Sequence, residues 1–202
     1  MNWLLTIATL LAFIIVGFML LVFMPKPQVF FDPYLLEINN ITAIHDDIAA
    51  EIKTVNDMSP VIPIFGNGEI YDRRFPQIYE ALRTIPFVRY AGIINVKPKF
   101  DQKKQYGYAR NANNTIRHFY TITQSAAHKS GIWVDGAKKF FCEKEWILAD
   151  MSRENSLFNK NKTDYSIVIF IDIDRININP GNSPNVDVDQ DEVLKMFLLA
   201  GQ

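Results

Sequence analysis

The chain has 202 residues, of which 49% are apolar and 21% are charged. This length and composition predict one compact domain with an appendage and exclude a disordered chain. With 21 basic and 22 acidic side chains, the formal charge is −1, which gives no basic footprint for nucleic acid. We therefore expect no nucleic-acid partner. The single cysteine, Cys142, excludes an internal disulfide and a multi-cysteine zinc site.

The segment from Trp3 to Met24 is a run of 22 residues without a charge. A helix of about 20 apolar residues crosses a hydrocarbon core of roughly 30 Å, because it satisfies its own backbone hydrogen bonds. The run predicts a retained transmembrane anchor at residues 1–26. A cleaved signal peptide is the alternative, but a basic n-region and a small-residue cleavage pattern are missing from the sequence.

The orientation of this anchor stays open. Lys26 favours a domain on the cytosolic side by the positive-inside rule. Three glycosylation sequons begin at Asn40, Asn113 and Asn161, and they would be used only in a lumenal domain.

The elements after the anchor change from helix to strand. Pro25, Pro27 and Pro33 predict a stiff, non-helical exit. Apolar residues at spacings of three and four predict an amphipathic helix over 34–52, and a second short helix is expected at 75–82. Apolar runs separated by turn residues then predict strands. They cover 88–96, 115–123, 131–134, 138–141, 146–148 and 165–173.

The turn signals indicate an antiparallel assembly. Asp135-Gly136 between two runs predicts a type I′ hairpin. We expect a sandwich or barrel domain at 27–180 and a tail at 181–202 with a short helix.

Acidic residues at 187, 189 and 191 suggest a calcium loop, but the required glycine and the distal glutamate are missing from the sequence. Acids at a helix start are the preferred interpretation.

Six stretches of the chain carry a resemblance to a known family, and they are 34–40, 85–92, 116–122, 133–136, 148–150 and 167–175. In this order they resemble the aspartyl/asparaginyl β-hydroxylase family. The resemblance implies a mainly β fold with flanking helices, namely a double-stranded β-helix (jelly roll) preceded by one transmembrane helix. It also implies Fe(II) and 2-oxoglutarate as cofactors, because the family consists of oxygenases that use both.

The family's two histidine ligands are only partly present here. The resemblance places the first on His118, which follows Arg117. The second histidine is expected about five residues after Asp150, where this chain has Asn155. An amide oxygen is a weak neutral ligand, so a site with one imidazole would hold iron poorly. His128 lies in a loop-like stretch and is interpreted as a surface residue, and a buried core histidine is the alternative role for His118.

The cosubstrate position is also altered. The family's arginine opens the last core strand, where this chain has Tyr165 or Ser166. Neither hydroxyl replaces a bidentate guanidinium. Lys162 is near in sequence but would have to cross a turn. We treat His118, Asn155, Asp150, Arg117 and Ser166 as vestigial positions, with His118 the one candidate metal ligand.

These observations predict a membrane-anchored, catalytically degenerate scaffold without a cofactor. Its expected partners are the lipid membrane and other proteins, including capsid or membrane-complex subunits, and a virion inner membrane is one setting for it. The alternative is an active dioxygenase that hydroxylates protein or lipid side chains, with Fe(II) and 2-oxoglutarate. A lipid or small-ligand binding module is a third function compatible with the sequence.

Overall fold

A computed structural model describes residues 3–23, 28–32, 38–106, 114–124 and 126–175, with the side chains of 4–6, 8 and 20–23 left out. The prolines that predict a stiff exit lie outside the described residues. The same holds for the acidic residues and the short helix expected in the C-terminal tail.

Four helices lie in the described part of the chain: α1 (Trp3–Phe23), α2 (Asn39–Ala43), α3 (His45–Val55) and α4 (Pro76–Arg83). The continuous helix expected over 34–52 is wrong, because Ile44, with φ −108° and ψ 25°, separates α2 from α3. The short helix expected near 75–82 is confirmed as α4, which begins at Pro76, where a missing N–H costs nothing.

Judged on the described residues, none of the helices has the combined length and apolar character needed to cross a membrane. The anchor expected at residues 1–26 therefore stays a prediction.

The described strands form two antiparallel sheets. The major sheet has seven strands in the order β1-β10-β7-β12-β4-β2-β3, and the minor sheet has the order β5-β11-β8-β9, with β6 also paired to β11. The strands are β1 (Phe30–Phe31), β2 (Val61–Gly66), β3 (Glu69–Ile70), β4 (Val88–Val96), β5 (Phe100–Asp101), β6 (Gln105–Tyr106), β7 (Thr115–Thr123), β8 (Ser130–Val134), β9 (Ala137–Phe140), β10 (Trp146–Ala149), β11 (Glu154–Asn159) and β12 (Ser166–Asp174).

The strand order is that of a jelly roll. From β4 to β12 the chain passes between the sheets: β4, β7, β10 and β12 lie in the major sheet, whereas β5, β6, β8, β9 and β11 lie in the minor sheet. With β5 and β6 counted as one interrupted strand, this is an eight-stranded double-sheet arrangement. The expectation of a mainly β jelly roll with flanking helices is confirmed.

The predicted strands agree with the observed ones to within one residue at each end. Those expected at 88–96 and 115–123 match β4 and β7 at both ends. The hairpin is also confirmed, because Asp135 and Gly136 have φ of 44° and 89°. Strands β2 and β11 were not predicted: β2 contains Pro63, and β11 begins with the polar residues Glu154 to Ser156.

Two apolar clusters hold the layers together. The first lies between the helices and the outer face of the major sheet, and it includes Ile41, Ile48 and Ile93. The second, the inter-sheet core, includes Phe119 and Val168 of the major sheet and Ile132 of the minor sheet. Strand β12 contributes to both clusters, which explains why it reads as a continuous apolar run instead of an alternating one.

Candidate functional site: the polar interior of the jelly roll

Strand alternation determines which side chains of β7 face the interior. Phe119 belongs to the inter-sheet core, whereas Tyr120 belongs to the cluster beneath the helices. Successive side chains of a strand point to opposite faces. Arg117 therefore lies on the interior side with Phe119, and His118 lies on the helix side with Tyr120.

His118 is fully buried on that outer side of the major sheet. Its Nδ1 donates to the Ile116 carbonyl oxygen at 3.1 Å, and its ring lies edge-on to Trp146 with 6.4 Å between centroids. Burial lowers the pKa of His118 to about 4, since desolvation penalises the imidazolium. His118 is therefore a buried, neutral imidazole on the helix side of the sheet, and its Nε2 has no hydrogen-bond partner among the described residues.

The other two histidines also point away from the interior. His45 Nδ1, on α3, lies 3.1 Å from the Tyr120 hydroxyl, which places it beneath the helices. The ring of His128 stacks edge-on against Phe140, with centroids 5.2 Å apart. Since the chain has three histidines and the structure describes all of them, no imidazole faces the inter-sheet space.

Arg117 and Asp172 form a bidentate ion pair in the interior. The two residues are directly opposite in the β7–β12 register. Arg117 Nε donates to Asp172 Oδ1 at 2.7 Å and its second guanidinium nitrogen donates to Oδ2 at 2.5 Å. The side chains are 11% and 5% exposed, and the guanidinium lies 4.7 Å from the centre of the Phe170 ring. The charge of Arg117 is thus already matched within the protein.

Asp150 occupies a second buried ionic group at the end of β10. Its side chain is 2% exposed and pairs with Arg175, which is 4% exposed. The same carboxylate accepts hydrogen bonds from the Ser152 backbone N–H at 3.0 Å and from the Ser152 hydroxyl at 2.5 Å. Arg153 Nε lies 3.6 Å away. The carboxylate oxygens of Asp150 therefore connect the segment after β10 with Arg175, which follows β12.

Asn155, the position where the family would have its second histidine, closes a local turn. It is 1% exposed, and its amide nitrogen donates to the carbonyl oxygens of Met151 at 3.2 Å and Arg153 at 2.8 Å. In the β11–β8 register it is opposite Val134, which belongs to the inter-sheet core. Asn155 therefore lies on the interior face of the minor sheet.

Ser166 lies toward the other end of the interior. Its hydroxyl is 2.6 Å from that of Ser130, and Ser130 is opposite Asn159 in the sheet. Asn159 donates to the Val96 and Asp164 carbonyl oxygens, both at 2.9 Å. Since Asn155 and Asn159 are four residues apart on β11, about 13 Å separate these two levels of the strand.

The five vestigial positions are thus divided between three places. Arg117, Asp150 and Asn155 lie in the interior and at the strand ends, where each is bonded to other groups of the protein. Ser166 lies further along the strands, beside Ser130, and His118 lies on the opposite face of the major sheet. Among the described residues no three His, Cys, Asp or Glu side chains converge as a metal site. This donor set does not fit an iron centre with a 2-oxoglutarate clamp, because the imidazole and the interior amide do not share a cavity.

The sequence interpretation did not single out Asp172 as a site residue, and it gave no role to Arg153 or Arg175. A signal was present: polar residues alternate with isoleucine in Ile171-Asp172-Ile173-Asp174, which places the two aspartates on one face of a strand. Only the register with β7 shows that Asp172 meets Arg117.

No family model and no curated protein matches this chain. Among solved structures, it is similar to the non-heme alpha ketoglutarate dependent carbocyclase SnoK from nogalamycin biosynthesis, at 10% identity over 81% of this chain and 84% of that chain, with a TM-score of 0.48. It is also similar to the viral collagen prolyl hydroxylase vCPH from Paramecium Bursaria Chlorella virus-1, at 9% identity over 76% and 96%, with a TM-score of 0.43.

A third similar structure is the cupin domain of Schizosaccharomyces pombe Cnp3, at 12% identity over 50% of this chain and 64% of that chain, with a TM-score of 0.36. At these identities and TM-scores the likenesses carry no argument about function. The jelly roll is established by the strand order of the two sheets.

Removing one partner of the Arg117–Asp172 pair should be far more damaging than removing both. Arg117→Met leaves a buried carboxylate unpaired, and we expect it to lower the free energy of unfolding by about 3–5 kcal/mol. The double variant Arg117→Met/Asp172→Leu should recover most of this loss. Denaturant titration of the four proteins in the double-mutant cycle measures the effect. Additive losses would show that the two side chains do not interact.

Burial of His118 predicts a pH dependence of stability. The unfolded chain takes up a proton near pH 6.5, whereas folded His118 does so only near pH 4. Stability should therefore fall as the pH is lowered from 6.5 to 4, by about 3 kcal/mol from this group. Denaturant titrations at several pH values should show that His118→Leu lacks this component. The exposed His128→Gln variant should keep it, and parallel profiles for the wild type and His118→Leu would contradict the assignment.

Proposed function

We propose that this chain is a membrane-anchored, catalytically silent jelly-roll protein that acts as a scaffold. One observation carries the proposal. The interior side chains at or near the positions where the family resemblance places the cofactors already form ion pairs or hydrogen bonds with other groups of the protein. Arg117 is paired with Asp172, Asp150 with Arg175, and the Asn155 amide with backbone carbonyl oxygens. A metal or a dicarboxylate would have to break these buried interactions, at a cost of several kcal/mol for each ion pair.

The character of α1 supports the membrane part of the proposal. It is a 21-residue helix without charged residues. Its described apolar side chains are exposed on all sides, with Trp3 at 67%, Leu10 at 64% and Phe13 at 74%. A helix that is apolar all round needs an apolar environment, and a bilayer provides one. A cytosolic or a lumenal domain fits this proposal equally.

The finer resemblance to the aspartyl/asparaginyl β-hydroxylase family belongs to the proposal as well. In that context the protein is a pseudoenzyme whose partners are other proteins at a membrane, such as capsid or membrane-complex subunits. The active dioxygenase is the competing function, and cofactor binding separates the two.

The full chain in detergent should bind neither Fe(II) nor 2-oxoglutarate stoichiometrically. Anaerobic metal analysis after gel filtration and titration calorimetry, with Mn(II) as a redox-inert substitute, measure both. Stoichiometric binding of metal and 2-oxoglutarate by the wild type would contradict the proposal. The contradiction would be complete if this binding were lost in His118→Ala and kept in the matched variant His128→Ala. That outcome would favour the dioxygenase.

A charge in the middle of α1 should weaken membrane retention. Ile14→Arg places a cation near the centre of the helix, where insertion costs about 2.5–3.5 kcal/mol. We expect the wild type to stay in the membrane pellet after alkaline carbonate extraction, and a fraction of Ile14→Arg to be released. Ile14→Leu is the matched control. Release of the wild type itself would refute the anchor.

A further inference from the structure

The outer face of the minor sheet carries aromatic and basic side chains together. We call this surface the basic aromatic face and define it by Lys104, Trp133, Lys138, Phe140 and Phe158. Trp133 and Lys138 are opposite each other in the β8–β9 register, on the side of the sheet away from Ile132 and Val134 of the inter-sheet core. Phe140 is 36% exposed.

The rings and ammonium groups of this face are in contact. Lys104 Nζ lies 3.8 Å from the centre of the Trp133 ring, and Lys138 Nζ lies 5.9 Å from that of Phe158. Phe140 and Phe158 stack edge to face, with centroids 5.9 Å apart. Phe158 lies over Gly131, where an added Cβ would come within 3.0 Å of the ring. The face is therefore a built aromatic layer with cations over it.

Positive charge exceeds negative charge on and around this face. Lys129 and Lys160 are exposed at its end, where the Lys160 N–H donates to the Lys129 carbonyl oxygen at 2.7 Å. Together with Lys104 and Lys138 they provide four cations. Two carboxylates lie among them: Glu154, 3.7 Å from Lys104, and Asp101, opposite Phe158 in the sheet. The local excess of positive charge contrasts with the formal charge of −1 for the whole chain.

The covalent path from α1 brings this sheet near the proposed anchor. Lys139 of the edge strand β9 lies 5.6 Å from the ring of Phe30 in β1. Phe30 follows Phe23, the last residue of α1, by seven positions. Seven extended residues span at most about 25 Å. The edge strand of the minor sheet is therefore close to a residue that a linker of at most about 25 Å joins to α1, although Lys139 itself is opposite Ile132 and lies on the inner side of that sheet.

We propose that the basic aromatic face docks on an anionic lipid surface. This inference rests on the anchor of the proposed function and adds the partner of a particular sheet. Trp is favoured at the level of the lipid headgroups, and each lysine near an anionic leaflet strengthens binding about fivefold. Stacking on single-stranded nucleic acid uses similar side chains, but the tether to α1 favours the membrane.

Lysine footprinting of the full chain in nanodiscs tests the docking. The protein is incorporated into phosphatidylcholine discs with or without phosphatidylglycerol, and acetylation rates are measured by mass spectrometry. We expect acetylation of Lys104 and Lys138 to slow at least about fivefold in the anionic discs and to recover in high salt, which screens the attraction. Lys53, exposed on α3, which packs against the other sheet, is the internal reference and should not change.

A variant and its control test the charge. Lys129→Gln/Lys160→Gln leaves the reporter lysines in place and should remove most of their protection. The control variant Arg83→Gln/Lys144→Gln removes the same amount of charge from elsewhere on the protein. Arg83 pairs with Glu80 of α4 and Lys144 pairs with Asp46 of α3, so this variant should leave the protection of the reporter lysines unchanged.

The outcomes separate this inference from the proposed function. Failure to enter phosphatidylcholine discs would refute the anchor and, with it, the docking. Entry without protection of Lys104 and Lys138 in anionic discs would overturn the docking and leave the anchor standing. Protection by a single-stranded oligonucleotide but not by phosphatidylglycerol would also overturn it and would assign the face to nucleic acid.

Discussion

Two-sided burial of the central strands is the constraint on which the rest of this structure depends. Strand β12 lies between β7 and β4 and contributes to the cluster beneath the helices and to the inter-sheet core. A charged side chain on such a strand has no access to water, so it needs a partner of opposite charge inside the protein. Asp172 finds it in Arg117, directly across the ladder.

This pairing also specifies the register of the sheet. A slip of β7 by one residue would turn Arg117 to the helix side and His118 to the interior. The cost of separating a buried cation from its carboxylate disfavours that alternative strongly. We therefore interpret the interior ion pairs as structural elements that fix one arrangement of strands. An interior organised in this way has its charged groups already engaged in ion pairs, and this supports the proposal of a catalytically silent domain.

The sequence predicted the limits of the central strands and the position of one hairpin turn most accurately. The strands β4 and β7 are buried on both faces, and their limits were predicted from strand-like segments rich in apolar residues and bounded by turn residues. The Asp135-Gly136 hairpin followed from the backbone freedom that its positive φ values require. Strand β11 was missed because its polar residues are satisfied by tertiary hydrogen bonds, such as those of Asn159 to Val96 and Asp164.

The candidate site was harder to predict than the fold, because it depends on which face each residue occupies. Residues His118 and Arg117 are adjacent in sequence, yet one lies against Trp146 beneath the helices and the other lies against Phe170 in the interior. A resemblance in sequence order cannot distinguish these two faces when the alignment is uncertain by one residue. Strand pairing resolves the ambiguity, since it links Arg117 to Asp172 and Asn155 to Val134.

The two sheets also differ in how their outer faces are covered. Helices with isoleucine stripes cover the major sheet, whereas lysines lie over the aromatic rings of the minor sheet. Protection of an edge strand from unwanted pairing explains the lysines of β9, because charges there oppose edge-to-edge association. It does not explain Lys104 over Trp133, since Trp133 lies on β8, which is paired on both sides by β9 and β11. The Trp133 ring and the Glu154 carboxylate, 3.7 Å away, hold Lys104 in this position, and the proposed docking would place this cation against an anionic surface.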